Sequence, residues 1–299
     1  MATIYTEQGS NIRKTWLLMG TFLVMVIAIG YAASWYLNSS AILYVAIIFA
    51  LFMNIFSYWF SDKLVLSMTN AKQIEKRDYP ELWNVVENLA ITTGLPMPRV
   101  FVVSDPAPNA FATGRNPEHA VVDATTGLLQ ILDRTELEGV IAHEMSHIGN
   151  RDMLVMTVAV VLAGFVAMIA DFFSRAMMFG GNGDDRRSPI FLILGIVGII
   201  LAPLAAKLLQ LAVSRRREYL ADATGALTTR YPEGLASALE KISASHMPMQ
   251  RASHATAHLF ISDPFATESR RSIGSRISGL FASHPPAQER IKRLREMSM

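Results

Sequence analysis

Two long runs without a charged residue dominate this 299-residue chain: Trp16–Leu37 and Ala41–Phe60, joined only by Asn38-Ser39-Ser40. Two more follow, Met153–Ala170 between Asp152 and Asp171, and Ser188–Ala206 ending at Lys207. At 1.5 Å rise per residue, runs of this length cover about 27–33 Å, against a hydrocarbon core of about 30 Å. The sequence therefore predicts four transmembrane helices. For the latter two the alternative is a pair of buried core helices. The first run could instead be a signal peptide with Ala32-Ala33-Ser34 as its cleavage site. It is longer than an ordinary signal segment and a second span follows at once, so a retained anchor is expected. Composition agrees: hydrophobic residues make up 51% and charged residues 17%, fewer charges than a soluble domain carries.

Basic residues set the orientation. Arg13 and Lys14 precede the first span, Lys63, Lys72, Lys76 and Arg77 follow the second, and Arg215, Arg216 and Arg217 follow the fourth. The positive-inside rule puts all three groups in the cytoplasm. Arg175, Arg186 and Arg187, between spans three and four, run against it. The net charge of +2 is small and points to membrane lipids rather than nucleic acid as partner.

The chemistry sits in His143-Glu144-Met145-Ser146-His147, an H-E-x-x-H pattern. On a helix, positions i and i+4 share a face one turn apart, so both imidazoles can bind one Zn²⁺. Glu144 is offset around the helix and can reach a water at the metal. Two nitrogen ligands, an open position and a carboxylate base make a metal-assisted hydrolase site. Asp133 or Thr135 can cap this helix, and Leu137, Val140 and Ile141 give it an apolar face.

Such a site needs a third protein ligand, and the absence of cysteine restricts it to His, Asp or Glu. The best candidate is Glu218, in Arg215-Arg216-Arg217-Glu218-Tyr219-Leu220-Ala221-Asp222. Glu218 and Asp222 are again i and i+4. One carboxylate could bind the metal while the other accepts the spare N–H of a ligand histidine and fixes its ring. His147 and Glu218 must then lie on one side of the membrane, so the chain between them crosses an even number of times, two or zero. His147 stands six residues before Met153, about 9 Å along a continuous helix, which puts the metal at the membrane surface.

H-E-x-x-H followed by E-x-x-x-D, with Asn109-Ala110-Phe111 upstream and Ser283-His284-Pro285-Pro286-Ala287-Gln288-Glu289-Arg290 near the C-terminus, resembles the gluzincin metallopeptidases. Among these the chain is similar to the HtpX family of bacterial membrane proteases, relatives of the CAAX prenyl endopeptidases, over essentially its whole length. The resemblance implies one zinc ion per chain held by His143, His147 and Glu218, with Glu144 as catalytic base and Asp222 behind a ligand. It implies an edge strand at Asn109 and Ala110 that pairs with substrate. It further implies quality control of damaged or misassembled membrane proteins, or of unfolded polypeptides, at the bacterial inner (plasma) membrane. His284 and Arg290 are candidates for the oxyanion donor or for a regulatory role.

The expected fold is mainly α with a small β-sheet: an integral membrane protein with a zincin-like catalytic domain. Residues 1–60 form an N-terminal membrane hairpin and 61–152 the first catalytic part. Residues 153–213 form a second hairpin and 214–299 the second catalytic part. Helices are expected at Asp78–Gly94, Leu235–Ile242 and Gln288–Glu296, and strands at Arg99–Ser104, Asn109–Thr113 and His119–Ala124. Asp123 interrupts an apolar run and is expected to face solvent. Ser243–Gly279, rich in Ser, Ala, Thr and His, reads as a surface loop over the cleft. A transporter would place charges inside the spans, which contain almost none. A catalytically silent scaffold would not need Glu144.

Overall fold

The computed structural model describes residues 4–179, 214–252, 256–265 and 285–297. Helix α1 (Ile4–Tyr36) and helix α2 (Ser40–Thr69) form the first hairpin, with Asn38 at a positive φ of 49° in the turn. Both are long and apolar enough to cross a membrane. The expected third span lies on α6 (Asp152–Phe179). It meets the same test only together with the preceding helix, from which it is bent by 83°. The described residues thus hold two spanning helices, or three if that bent pair counts as one; Ser188–Ala206 lies outside them.

The soluble part is built around a four-stranded sheet. Strands β1 (Lys72–Gln73), β2 (Arg99–Val103), β3 (Ala110–Thr113) and β4 (Val121–Thr125) run in the order β1-β2-β4-β3, so β3 is an edge. β2 and β4 are parallel and β3 turns back antiparallel on β4 through Gly114, whose φ of 137° suits a residue without a side chain. Helices α3 (Pro80–Thr93), α5 (Arg134–Asn150), α7 (Arg215–Thr229), α8 (Pro232–Ala244) and α9 (Ala287–Met297) complete this part, with a short α4 (Thr126–Ile131) after β4. Pro80 starts α3 and Gly94 stops it, as the sequence predicts. One apolar core draws on α3, α5, the sheet, α8 and α9, which joins residues from before and after α6 in the chain.

Side chains alternate across the sheet. Val100, Val102, Ala112, Val122 and Ala124 enter that core. Phe101, Val103, Phe111 and Val121 face the other way, onto Val65 and Leu66 of α2 and Met156 and Val160 of α6. Helix α2 extends past its apolar run and, with the first turns of α6, covers the second face of the sheet. This overturns the expectation for Asp123. Its strand neighbours place it on that covered face, where it is fully buried with neither carboxylate oxygen hydrogen-bonded. A sheet with one wet face would have put it in water; this one has none there.

A separate apolar cluster ties the membrane helices together, with Leu18 and Phe22 of α1, Met53 of α2, and Leu154, Val158 and Leu162 of α6.

Candidate metal centre

The histidine pair lies on α5. Asp133 is its N-cap: it accepts from the backbone of Thr135 and Glu136, while Glu136 returns a bond to the Asp133 N–H. Glu136 also takes Lys241 and Ser237 of α8, which fastens the start of the helix to the core. The helix ends at Arg151, in the left-handed conformation at φ 57°, and α6 leaves at 83°. The expected continuous helix from His147 into the membrane is therefore broken at one residue.

That break has a chemical result. It turns Asp152, the first residue of α6, back toward His147, and its Oδ2 lies 3.1 Å from His147 Nδ1. On the other ring, His143 Nδ1 bonds Asp222 Oδ1 at 2.9 Å. Each imidazole thus has its Nδ1–H committed to a carboxylate and turns Nε2 inward. The two Nε2 atoms are 3.2 Å apart. Glu218, from α7, brings Oε2 to 3.9 Å from one and Oε1 to 3.6 Å from the other. These three buried ligand atoms lie within 4.8 Å of one another, so they could hold a metal ion. The arrangement fits a cation: two ring nitrogens and a carboxylate converge, the donor set of a zinc-type site.

Burial drives the His143 ring down to about 4. Burial also acts against the charged form of His147, but the Asp152 bond and the Glu218 carboxylate outweigh it and raise that ring to about 9. Burial pushes Glu144 up to about 7. The Ala112 backbone N–H acts against that rise, so the expected base lies beside the edge strand. Burial opposes the Asp222 carboxylate too, yet Arg290 and the His143 bond hold it down to about 2.

Asp222, expected behind a ligand, is the residue that meets His143 Nδ1. Arg290 is fully buried and clamps Asp222 with Nε and Nη2, at 2.9 and 2.7 Å. Its Nη1 donates to the Ile261 carbonyl at 3.1 Å. The guanidinium is thus engaged on the Nδ1 side of His143, away from the ring nitrogen that faces the ligand cluster. His284 lies outside the described residues. Asn109 and Ala110 lead into the edge strand as expected. The Asn109 carbonyl accepts from Thr125 N of β4, so the next carbonyl, of Ala110, points outward. There it accepts from Ile261 N at 2.9 Å, and Phe111 bridges Phe260. The Asn109 side chain bonds both backbone atoms of Ser262. Part of the segment expected to overlie the cleft therefore sits on the edge strand itself. Asp152 was not anticipated as a partner of His147. The spacing H-x₄-D was visible, but only a helix break brings it into reach.

An H-E-x-x-H helix with a third carboxylate from a second helix, packed on membrane-spanning helices, defines a membrane metalloprotease. Residues 76–298 match the model of peptidase family M48. The chain is 45% identical to a protease HtpX homolog of Caldanaerobacter subterraneus subsp. tengcongensis, over 99% of both chains. It is 48% identical to those of Tropheryma whipplei strain Twist, over 98% of both, and Pyrococcus furiosus, over 96% of both. No solved structure matches it. The chain belongs to the HtpX family of M48 metalloproteases.

Proposed function

We propose that the protein is a zinc-dependent endopeptidase of the inner (plasma) membrane, with its catalytic part in the cytoplasm, acting on cytoplasmic regions of damaged or misassembled membrane proteins. The observation that carries the reading is the buried meeting of His143, His147 and Glu218 with Glu144 beside an edge strand. His143, His147 and Glu218 would hold the ion. When bound, Zn²⁺ supplies a Lewis acid for the scissile carbonyl and lowers the pKa of the attacking water. Glu144 takes a proton from that water and passes it to the leaving amine. The Ala112 N–H of the edge strand favours the charged form of the Glu144 carboxylate. Asp222 and Asp152 fix the two rings, and Arg290 fixes Asp222.

Substrate is read through its backbone, as a strand added to the edge of β3 in place of the residues around Ile261. The outward carbonyl of Ala110 is an acceptor for it, and Ile261 gives that acceptor up when substrate enters. Main-chain pairing tolerates many sequences, which suits a protease that removes faulty proteins. Asn11 of α1, which stands about 7 Å along the helix from Trp16, touches the site, so substrates held in the same bilayer are presented at its height.

Glu144→Gln tests the reading. The substitution keeps shape and removes the base. Purified in detergent, the variant should retain its zinc while casein cleavage falls by orders of magnitude. Near-normal cleavage by zinc-loaded Glu144→Gln would end this mechanism.

A further inference from the structure

The first membrane helix reaches the metal centre through Asn11. Asn11 of α1 is fully buried, and its Nδ2 donates to Asp152 Oδ1 at 2.6 Å and to the Asn150 carbonyl at 3.0 Å. Its Oδ1 meets Arg217 Nη1 of α7 at 3.5 Å. Arg217 Nε lies 3.6 Å from the same Asp152 oxygen. The opposite oxygen of Asp152 serves His147. A buried carboxylate bonded at one oxygen only could turn about its side-chain torsions and release the ring. Bonded at both, it has one orientation. Asn11 is suited to this place because one amide supplies both a donor for the carboxylate and an acceptor for the guanidinium. The side chain lies 141 positions from Asp152 and 206 from Arg217 in sequence, so only docking of α1 brings them together.

We propose that Asn11 is a positioning residue for the metal centre: acting through Asp152, it holds the His147 ring, so metal affinity depends on the first membrane helix being seated. This rests on the zinc reading above. The N-terminal helix is then part of the ligand scaffold as well as an anchor, and a molecule whose first helix is displaced binds its metal poorly.

The test is zinc affinity of the full-length protein in detergent, measured by competition with a chromogenic chelator. Asn11→Ala is expected to weaken binding about tenfold or more, within the range of lost outer partners of metal ligands. Asn11→Asp preserves volume while setting a carboxylate against Asp152, and should weaken it at least as far. Gln8→Ala removes a neighbouring contact of the same helix, to the Gly149 carbonyl at 2.6 Å, without touching Asp152. It should bind like the parent, within about twofold. In an Asp152→Ala background, adding Asn11→Ala should cost less than about twofold, because the path it acts through is gone. The visible spectrum of the cobalt-substituted protein should shift in Asn11→Ala and not in Gln8→Ala. Parent-like affinity in either Asn11 variant overturns the proposal. So does an equal loss in Gln8→Ala, or an undiminished loss in the Asp152→Ala background. Should the parent itself bind no zinc, the metal reading falls and takes this with it.

Discussion

At the residue scale the centre is an arrangement of paired carboxylates and rings, and what the sequence disclosed depends on distance along the chain. His143, Glu144 and His147 are legible because helical periodicity alone puts them together. Glu218 and Asp222 are legible by the same rule, one turn apart on α7. Asp152 and Asn11 were not, since the first needs a helix break and the second a docked helix from the other end of the chain. Asp123 was misjudged because a strand's alternation says which residues share a face, not what covers it. Its burial yields a prediction. Burial raises its carboxyl well above the ordinary value. A group whose folded pKa is raised favours the folded state below its unfolded pKa, and that contribution is lost as pH rises through the folded pKa. Asp123→Asn cannot ionise, so it lacks this loss. The melting temperature of the variant minus that of the parent, at equal pH, should grow from pH 5 to pH 8. An unbonded buried polar group costs about 1–3 kcal/mol, enough for a shift of a few degrees. A difference that shrinks with rising pH would mean that the carboxylate is stabilised in its charged form.

Elements are where most of the expectations meet the structure. The helices α3, α5, α8 and α9 and the strands β2, β3 and β4 all fall within a few residues of where periodicity, capping and turn residues put them. The boundary between α5 and α6 does not. Arg151 takes a left-handed conformation that Gly or Asn adopts more readily, and no Gly or Pro at that position announces the stop. The approach of α7 to α5 was equally invisible, yet it sets how near Glu218 comes to the rings. Gly225 makes it possible. It is seven residues, about two turns, beyond Glu218, and a Cβ there would lie 3.0 Å from His143 N and 3.2 Å from the Ala142 carbonyl carbon. Those are backbone atoms of the ligand helix and cannot move aside alone. Gly225→Ala should therefore push α7 outward and carry Glu218 away from the histidines. The expected result is a loss of zinc affinity of about tenfold or more in a protein that still folds, since alanine otherwise favours a helix by about 1 kcal/mol. Equilibrium dialysis against buffered zinc measures it. Parent-like affinity would show that the helix contact tolerates a methyl group and that Glu218 is not held by it.

For the whole molecule the question is where the centre stands relative to the bilayer. Trp16 of α1 and Tyr58 of α2 stack at 6.2 Å, and exposed Trp59 lies beside them, with Arg115 over its ring at 4.7 Å. Exposed Trp35 and Tyr36 stand at the other end of α1. From Trp16 to Trp35 the helix rises about 29 Å, the thickness of a hydrocarbon core, with aromatic rings at both boundaries as interfacial belts require. Arg13, Lys14 and Lys63 lie at the Trp16 end, which is also the end where Asn11 contacts Asp152 and Arg99 pairs with Asp62 of α2. Basic residues at that boundary are what the positive-inside rule expects of the proposed cytoplasmic face, and the soluble part is bound to it from two helices. Single cysteines test this directly, because the chain has none of its own. In intact cells an impermeant thiol reagent should label Ser39→Cys in the turn between α1 and α2 and spare Gln288→Cys on α9. Labelling of Gln288→Cys alone would invert the topology and put the protease outside. The chain between His147 and Glu218 must cross an even number of times for both to reach one ion, and Asn182→Cys counts the crossings: labelling from outside means two, protection means none. Either outcome leaves the centre on the side that Asn11 marks, because that contact ties it to the first hairpin whether or not the chain after α6 crosses.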